Sequence, residues 1–431
     1  MNPPHYSPRY VRSVVALLTS AVAVEFLHRQ LLAIAVEPIR SDLGLSDGQM
    51  GWLVTAFALA YGVAVLVLGR IADRADRRTL YALGIVTWSV ATALAGAATG
   101  FATFVATRVL LGVGQSAAGA TNGPLLADYV PPERRASAIG VVTLGAVVGV
   151  FLALFLGAAG IGAFGWRATF AAAGAVGLAF AALFRFAVHE PPRGWSEGRG
   201  HEAGERPGLR ETLATLRRLR SFQHMTIATV VTNMALFAGA QWGPAFLQRA
   251  HGLTIQRAGL VAGGVALLAT LGAVAGGLLV DRMWARDARG ALLLPSICCA
   301  IAFPSSLLAY LAPNLSTTVP LLALGSVLAM VHAAAVGALT QALSPLRMRS
   351  SISAILNALL TWFGLGLGPL VAGLVSDASG GGEGLRTGLA WSSALYGWGA
   401  VHFALAARTL RADLRTSARL GEETHSQRTI A

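Results

Sequence analysis

Charged residues are scarce in this chain of 431 residues, because they make up 12% of it against 55% hydrophobic residues. A soluble protein of ordinary composition carries about a quarter charged residues. Lysine is absent altogether, so all 33 basic residues are arginine, and the acids number only 20. The shortage of charge argues against an ordinary water-soluble domain, and the apolar excess predicts a chain that lies in lipid.

Cysteine and the usual signatures of catalysis are also missing or rare. Cys298 and Cys299 are adjacent within an apolar run, so they offer neither a disulfide framework nor the spacing of a metal site. No Walker-type loop, Ser/His/Asp grouping or metal-ligand cluster occurs. We therefore expect no enzyme activity, no cofactor and no metal. The net charge of +13 is not taken as a sign of nucleic-acid binding, because the arginines cluster at the ends of apolar runs.

Long apolar runs are what the chain has in abundance. A membrane-spanning helix needs roughly 20 such residues, and twelve runs meet that requirement. They predict an all-α membrane protein with twelve transmembrane helices in two pseudo-symmetric six-helix bundles. The predicted spans are 11–36, 50–71, 80–98, 101–127, 136–160, 168–188, 222–247, 257–283, 291–312, 319–343, 350–376 and 385–409.

The loops between these spans differ in their arginine content. With the N-terminus in the cytoplasm, the inner loops and tails carry 25 arginines and the outer loops carry five. Inner loops of membrane proteins are enriched in basic residues. The asymmetry therefore predicts a multi-pass membrane protein with both termini on the cytoplasmic side. No small-residue cleavage site follows the first apolar run, so we expect no cleaved signal peptide. The expected location is the bacterial cytoplasmic membrane.

The two halves repeat each other weakly. Moving 208 residues along the chain carries Gly69 onto Gly277 and Asp73 onto Asp281. Such a duplication predicts a pathway between the halves with a site near the midplane. The predicted halves are 1–188 and 221–431, the second including a cytoplasmic tail. The linker 189–220 is rich in proline, glycine and arginine, and its end predicts an amphipathic helix on the inner leaflet.

Helix 1 carries three ionisable residues at membrane depth, Glu25, His28 and Arg29. Their spacing predicts that they share one helix face, and each ionisable group costs about 2.5 to 3.5 kcal/mol at that depth. Two interpretations stay open. A Glu25–Arg29 pair that only locks the helix is the simpler one, and a polar lining of a transport pathway is favoured because three such groups are expensive.

Helix 4 carries a second polar stripe, formed by Arg108, Gln115 and Asn122 with glycines between them. Glycines on that face allow close helix packing. Arg108 has no acid on its own helix, so its partner is expected to be either Glu25 or a carboxylate or phosphate of a substrate.

The second half offers fewer candidates, chiefly His332 and Asn357. A lone histidine or asparagine among packed helices more often makes an interhelical hydrogen bond than it binds a ligand. Both residues are therefore weaker candidates for the site than those of helices 1 and 4.

A charged turn separates the second and third apolar runs, with the sequence GRIADRADRR from Gly69 to Arg78. It resembles the loop between helices 2 and 3 of the major facilitator superfamily of secondary transporters. RVLLGVG, which begins at Arg108, is similar to a second motif of that superfamily. The resemblance implies a secondary transporter with the twelve-helix fold.

The same resemblance implies a cytoplasmic gating motif made of Gly69, Asp73, Arg74, Arg77 and Asp128. The aspartate would hold the N-terminus of helix 11, where the helix dipole favours a carboxylate. Arg77 would pair with Asp128 at the end of helix 4. Both contacts would close the cytoplasmic side in the outward-facing state. One position departs from the motif, where an aspartate replaces the usual glycine at position 76.

Several short stretches narrow the resemblance to the spinster-like transporters. They are FLHR at 26–29, LGVGQS at 111–116, GWR at 165–167, EPPRG at 190–194 and AFLQR at 245–249. In that family acids linked with proton coupling usually stand where this chain has His28 and Gln115. Glutamine does not titrate, so coupling would have to be rebuilt from Glu25 and His28.

The resemblance implies carriage of a small, anionic or amphiphilic organic solute by alternating access, with protons as a candidate coupling ion. An uncoupled facilitator and an organic-anion symporter of the same superfamily are alternatives. A non-transporting membrane sensor on the same scaffold is the alternative from another class. The expected partners are a small-molecule substrate and the lipid bilayer, without nucleic acid, and we expect a monomer.

Overall fold

The computed structural model describes residues 6–193, 208–345, 348–380 and 383–430. Within these ranges the chain is helical almost throughout and has no β-strand. Two π-helical segments, Ala153–Gly157 and Leu360–Leu367, interrupt the α-helices. The α-helices are α1 Pro8–Ile34, α2 Val36–Leu43, α3 Asp47–Ala72, α4 Arg77–Ala95, α5 Phe101–Tyr129, α6 Pro132–Leu152, α7 Ala158–Ala187, α8 Leu209–Arg218, α9 Arg220–His251, α10 Ile255–Arg286, α11 Gly290–Leu311, α12 Leu315–Met330, α13 His332–Leu343, α14 Arg349–Leu359, α15 Gly368–Ser379 and α16 Gly384–Ile430.

The helices account for the twelve predicted spans. By length and composition, 8 helical stretches of the described chain could cross a membrane. One of them, Pro132–Ala187, has 56 residues and is interrupted at Gly165, where φ is 79°, so it holds two spans. The three remaining spans correspond to α4, α9 and α16, which carry more polar residues.

Local signals explain where several helices begin. Ser46 and Gln49 form a capping box at the start of α3, with distances of 3.2 and 2.9 Å. Asp76 caps α4 by accepting a hydrogen bond from the Thr79 backbone N–H at 2.6 Å. The aspartate that departs from the motif's usual glycine thus has a structural role, since it satisfies an otherwise unpaired amide.

Two features differ from the sequence prediction. Helix α2 lies in a stretch predicted to be an outer loop, and it ends at Gly44 with φ 63°. The tenth predicted span is broken at Val331, between α12 and α13. Neither feature shows in the pattern of apolar residues, because α2 is a short, largely polar helix that begins at the end of the first predicted span and the tenth span is apolar on both sides of Val331.

The chain forms two compact units, Met1–Glu202 with Ala240–Gly263, and Ala203–Gly239 with Gly264–Ala431. In the first unit, α4 packs against α5 and α7, α3 packs against α5, and α1 packs against α6. In the second unit, α11 packs against α12 and α16, and α15 packs against α16. The end of α9 and the beginning of α10 thus belong to the first unit. A division into halves at the linker stays a prediction.

Each unit contains a close glycine contact between helices and a π-helical segment. In the first unit, a Cβ at Gly149 of α6 would meet the Ala23 carbonyl of α1, and in the second a Cβ at Gly368 of α15 would meet the Met234 carbonyl of α9. The shift of 208 residues carries Ala153, where the first π-helical segment begins, onto Thr361 in the second. The same device of close glycine packing beside a π-helical segment therefore occurs in each unit.

Helix α8 forms where the amphipathic helix is predicted. Leu216 and the following Leu219 pack into the core of the second unit with Phe222 and Met225. Leu213 on the same helix is 39% exposed. Part of the apolar face therefore covers protein, and the position of α8 on the inner leaflet stays a prediction. The middle of the predicted linker, 194–207, lies outside the described residues.

Candidate functional site

The centre of the first unit holds a polar cluster formed by α1 and α5. The Arg29 guanidinium donates to the Glu25 carboxylate at 2.6 Å and, through Nε, to the Gln115 amide oxygen at 3.0 Å. Gln115 Nε2 in turn donates to the Glu25 backbone carbonyl at 2.9 Å. The glutamine at the position of the family's usual acid therefore crosslinks two helices, and the acid that pairs with Arg29 comes from one turn earlier on α1.

Arg108 on α5 lies in the same part of the unit without an acid of its own. The side chain is buried, its Nε has no hydrogen-bond partner among the described residues, and no described carboxylate is within ion-pair distance. Its guanidinium carbon lies 5.6 Å from the centre of the Phe57 ring. Two partners were expected for Arg108, and the pairing with Glu25 is wrong, because that carboxylate pairs with Arg29.

Aromatic rings of α1 and α3 complete the cluster around the two arginines. The guanidinium carbon of Arg29 lies 4.6 Å from the Phe26 ring, 5.0 Å from Phe57 and 5.6 Å from Tyr61. A guanidinium within about 6 Å of a ring centre is attracted to the π face. The central cluster, defined as Glu25, Arg29, Arg108, Gln115, Phe57 and Tyr61, thus combines two cations with one carboxylate and an aromatic wall.

His28 is not part of this cluster, although the sequence predicted one face for all three ionisable residues of helix 1. Its Nε2 lies 3.0 Å from the Ala173 carbonyl of α7, and its ring fills the space beside Gly177. The reason is geometric, because His28 and Arg29 are successive residues and lie about 100° apart around the helix. The imidazole is buried with 1% exposure and faces α7.

Asn122 also lies apart from the two arginines. It follows Arg108 by 14 residues on α5, a separation of about 21 Å along a helix. The glycines between them have the packing role expected of them, since a Cβ at Gly119 would meet the Tyr61 hydroxyl at 2.5 Å. A small solute at Arg108 would therefore not reach Asn122.

The candidates of the second half belong to the second unit. His332 Nδ1 lies 2.5 Å from the Ala329 carbonyl, so this nitrogen carries the proton, and Nε2 accepts from Asn233 Nδ2 at 3.0 Å. The histidine is therefore satisfied as a neutral interhelical partner. Asn357 is exposed on α14, one turn before the π-helical segment that contains Trp362.

A second cluster lies at the charged turn between α3 and α4. Arg77 donates to Asp128 at 2.5 Å and to Glu190 at 2.7 Å, and its Nη2 donates to the Pro191 carbonyl at 3.3 Å. The resemblance implied the first pair, which the structure contains. Burial lowers the pKa of Arg77, but the hydrogen bonds to Glu190 and Asp128 outweigh this effect and raise it. We call Arg77, Asp128 and Glu190 the inner cluster.

The other members of the predicted gating motif surround the inner cluster. Arg193 donates to the carbonyls of Ala72 and Ala75 at 3.0 Å and to that of Asp73, so a cation lies at the C-terminal end of α3. A Cβ at Gly69 would meet nothing within 4 Å. Arg74 is exposed. The contact between the Asp73 carboxylate and helix 11 stays a prediction.

A third cluster joins the end of α9 to α2 and α3. The Arg249 guanidinium binds both oxygens of Asp47 at 2.6 and 2.7 Å and contacts Glu37 at 2.5 Å. Burial lowers the pKa of Arg249, but the hydrogen bonds to Asp47 and Glu37 outweigh it and raise the pKa. We call Arg249, Glu37 and Asp47 the outer cluster. Nearby, Trp166 and Arg167 of the GWR stretch bind Asp42 at 3.1 and 2.9 Å.

Sequence reasoning located the four polar residues of the central cluster but missed its aromatic members. Phe57 and Tyr61 are spaced four residues apart on α3, which indicates a shared face, but aromatic residues in an apolar run usually belong to the lipid-facing or packing surface. It also missed Glu190, Glu37 and Asp47. The EPPRG and AFLQR stretches were the available signals for the inner and outer clusters, since Glu190 and Arg249 lie in them.

Comparison with known proteins supports one family. The family model of the Major Facilitator Superfamily matches residues 18–369. The hexuronate transporter of Bacillus subtilis is 27% identical over 374 residues, which cover 85% of this chain and 88% of that protein. A probable L-galactonate transporter of Escherichia coli is 26% identical over 385 residues, which cover 86% and 84%.

A solved structure matches almost the whole fold. It is a bacterial homologue of the human lysosomal transporter Spinster in an inward-facing, unoccupied conformation, with a TM-score of 0.87, 24% identity, and coverage of 95% of this chain and 99% of that one. This match confirms the twelve-helix fold. Protein spinster of Drosophila melanogaster is 26% identical over 234 residues, which cover 54% of this chain and 38% of that protein, and this similarity confirms the resemblance to the spinster-like transporters. The chain is a multi-pass membrane transporter and not an enzyme, and it belongs to the Major Facilitator Superfamily.

Proposed function

We propose that the protein carries a small organic anion, of the sugar-acid type, across the membrane by alternating access. One observation supports this substrate class above all. Arg108 is buried at membrane depth with no carboxylate partner among the described residues. Burying a cation without a counter-charge has a high free-energy cost. A substrate carboxylate would reduce this cost when it binds.

The rest of the central cluster supports the same substrate class. Two arginines and one carboxylate leave one positive charge in excess, which suits a monoanion. Arginine binds carboxylate oxygens in a bidentate manner. The names of the hexuronate and galactonate relatives agree with a polyhydroxy carboxylate. The ring of Tyr61, which is partly exposed beside Arg29, would contact the apolar face of a sugar acid.

The direct test is transport by the purified chain in proteoliposomes. We expect counterflow of labelled D-glucuronate that excess unlabelled glucuronate or galactonate abolishes and that glucose does not affect. Equal competition by glucose, or competition by lipophilic amines alone, would contradict an anionic substrate. Absence of any flux with measurable binding would favour the sensor alternative.

Coupling to protons is a finer proposal, and it rests on Glu25. This carboxylate is buried and its pairing partner is Arg29. If a substrate anion takes over Arg29, a buried carboxylate loses its partner and neutralisation by a proton becomes favourable. Gln115 does not titrate, and His28 faces α7. Coupling would therefore depend on Glu25 rather than on a relay through His28.

An imposed pH gradient separates the coupled carrier from the uncoupled facilitator. We expect an inward proton gradient to drive glucuronate uptake above equilibrium in the wild type, and Glu25→Gln to abolish that accumulation while allowing counterflow. His28→Asn should leave accumulation in place. Indifference of the wild type to the gradient would establish the facilitator instead.

The gating role and the orientation are also proposals. We place the inner cluster and both termini on the cytoplasmic side because the predicted inner loops hold 25 of the loop arginines against five. Asp73→Asn should then lower transport while folding and insertion remain intact. Reaction of a cysteine introduced near Arg74 with an impermeant thiol reagent from the cytoplasmic side only would support this orientation, and labelling from outside would contradict it. The monomeric state stays a prediction.

A further inference from the structure

We infer that Phe57 is a positioning residue for the substrate anion, because the guanidinium groups of Arg29 and Arg108 both contact its ring. The inference rests on the proposed function, since it concerns the same central cluster. Both guanidinium carbons lie against this one ring, at 5.0 Å for Arg29 and 5.6 Å for Arg108. Phe57 itself is 1% exposed, so the ring is fixed by its surroundings.

The two arginines differ in what else holds them. Arg29 is anchored by the Glu25 carboxylate, the Gln115 amide and the rings of Phe26 and Tyr61. For Arg108, the described residues supply a cation–π contact from the Phe57 ring but no ion pair, and its Nε has no hydrogen-bond partner among them. Removal of the ring should therefore release Arg108 much more than Arg29.

Electrostatics explains why an aromatic ring suits this place. Two guanidinium groups repel each other, and a second carboxylate between them would neutralise the charge that a substrate anion needs. The negative face of an aromatic ring attracts a cation without carrying net charge, and this attraction strengthens when water is excluded. Phe57 thus keeps the two cations close while leaving them available to an anion.

The backbone brings Arg108 to the ring. Gly112 lies one turn after Arg108 on α5, and a Cβ there would meet the Phe57 carbonyl at 2.6 Å and the Tyr61 amide nitrogen at 3.0 Å. Only glycine permits α5 to approach α3 this closely. The approach sets the distance between the arginine and the ring, so the position of Arg108 depends on both Gly112 and Phe57.

The test compares aromatic and aliphatic residues at position 57 in the full-length chain. We expect Phe57→Leu to weaken D-glucuronate binding by about tenfold, the scale of a desolvated cation–π contact, with KM for counterflow raised and kcat changed less than twofold. Phe57→Tyr and Phe57→Trp should restore affinity to within threefold of the wild type. Phe57→Met serves as a second aliphatic variant if the leucine variant does not fold.

Two control variants separate positioning from packing. Phe104→Leu removes a fully buried ring that packs on Trp166 and Phe170 instead of an arginine, so it should lower the melting temperature without changing affinity. Phe26→Leu should weaken binding less than threefold, because Arg29 keeps its carboxylate and amide.

The outcomes distinguish this inference from the proposed function. If Phe57→Leu leaves affinity unchanged while Arg108→Gln abolishes binding, the role of Phe57 is wrong and the anion site stands. If the aromatic and aliphatic variants lose affinity equally, Phe57 acts only by packing and the inference also fails. If Arg108→Gln binds glucuronate like the wild type, the proposed function itself is contradicted.

Discussion

The arginines of the inner and outer clusters of the first unit contact more carboxylates than those of its central cluster. Arg77 contacts both Asp128 and Glu190, and Arg249 contacts both Glu37 and Asp47. In the central cluster Arg29 contacts the single carboxylate, that of Glu25, and Arg108 has no carboxylate partner among the described residues. The same side chain is therefore fully paired in two places and under-paired in the third.

This difference separates structural from functional charge. A buried ion pair that is complete contributes to holding elements together, and removing one member leaves an uncompensated charge. An incomplete arrangement is unfavourable in the resting protein, so it persists only where a ligand completes it. We propose that the central cluster is such a place, and its excess of one positive charge would suit a substrate that carries one negative charge.

The largest effect on stability is expected when the arginine of the inner cluster is replaced. Arg77→Gln leaves two carboxylates without their cation and should destabilise the protein by about 3 to 5 kcal/mol. We expect a large fall in melting temperature and in yield, measured by tryptophan fluorescence in detergent. Glucuronate affinity of the folded fraction should be unchanged. A stable Arg77→Gln variant with lost affinity would reverse the assignment of roles.

Replacing Arg108 in the central cluster should have the opposite effects on stability and on substrate binding. Arg108→Gln removes a charge that no described residue compensates, so thermal stability should be maintained or raised. Binding of glucuronate should fall by at least about thirtyfold, because loss of one partner of a desolvated charge pair costs about 2 to 5 kcal/mol. Isothermal titration measures the affinity, with Arg134→Gln on the exposed start of α6 as the matched control.

Replacing the arginine of the outer cluster should have an effect on stability between those of the two replacements above. Its arginine is 16% exposed against 6% for Arg77, so water can replace part of what is lost. We expect Arg249→Gln to destabilise by about 1.5 to 3 kcal/mol and Arg249→Lys by less, because lysine keeps the charge but not the bidentate geometry. A melting temperature equal to that of the wild type would show that this cluster contributes no stability.

The smallest effect is expected at the cap of α4. Burial raises the pKa of Asp76, but the hydrogen bond from Thr79 outweighs it, so the pKa is lowered in the folded protein. Its contribution is therefore complete at neutral pH and is lost as pH falls through that lowered value. Asp76→Ala should cost about 1 kcal/mol at pH 7, and the difference in melting temperature from the wild type should shrink in acid.

The fold was largely predictable from the sequence because the bilayer imposes simple requirements. Span length and arginine placement predicted twelve helices. Helix α2 and the break at Val331 were not predictable in this way, since neither changes the count of apolar residues. The assignment of residues 240–263 to the first unit depends on tertiary packing that no local pattern contains.

The site was predictable in part. Glu25, Arg29, Arg108 and Gln115 stand out because polar residues at membrane depth are rare. The expectations that were wrong concern which residues contact each other, and these contacts depend on the tertiary structure. A spacing of three residues suggested that His28 would join Glu25, but neighbouring α7 supplies the acceptor. Arg249 and Asp47 are 202 residues apart, so their pairing had no signal in the chain order.

The central claim is that the two arginines and their single carboxylate bind an organic anion through its charge. The most direct measurement is the affinity of the wild type for D-glucuronate and for its neutral isostere D-glucuronamide, by isothermal titration at low and high salt. We expect the amide to bind at least about thirtyfold more weakly, as loss of a charge-assisted pair requires, and we expect salt to weaken binding of the acid only. Equal affinity for the two compounds would contradict this claim.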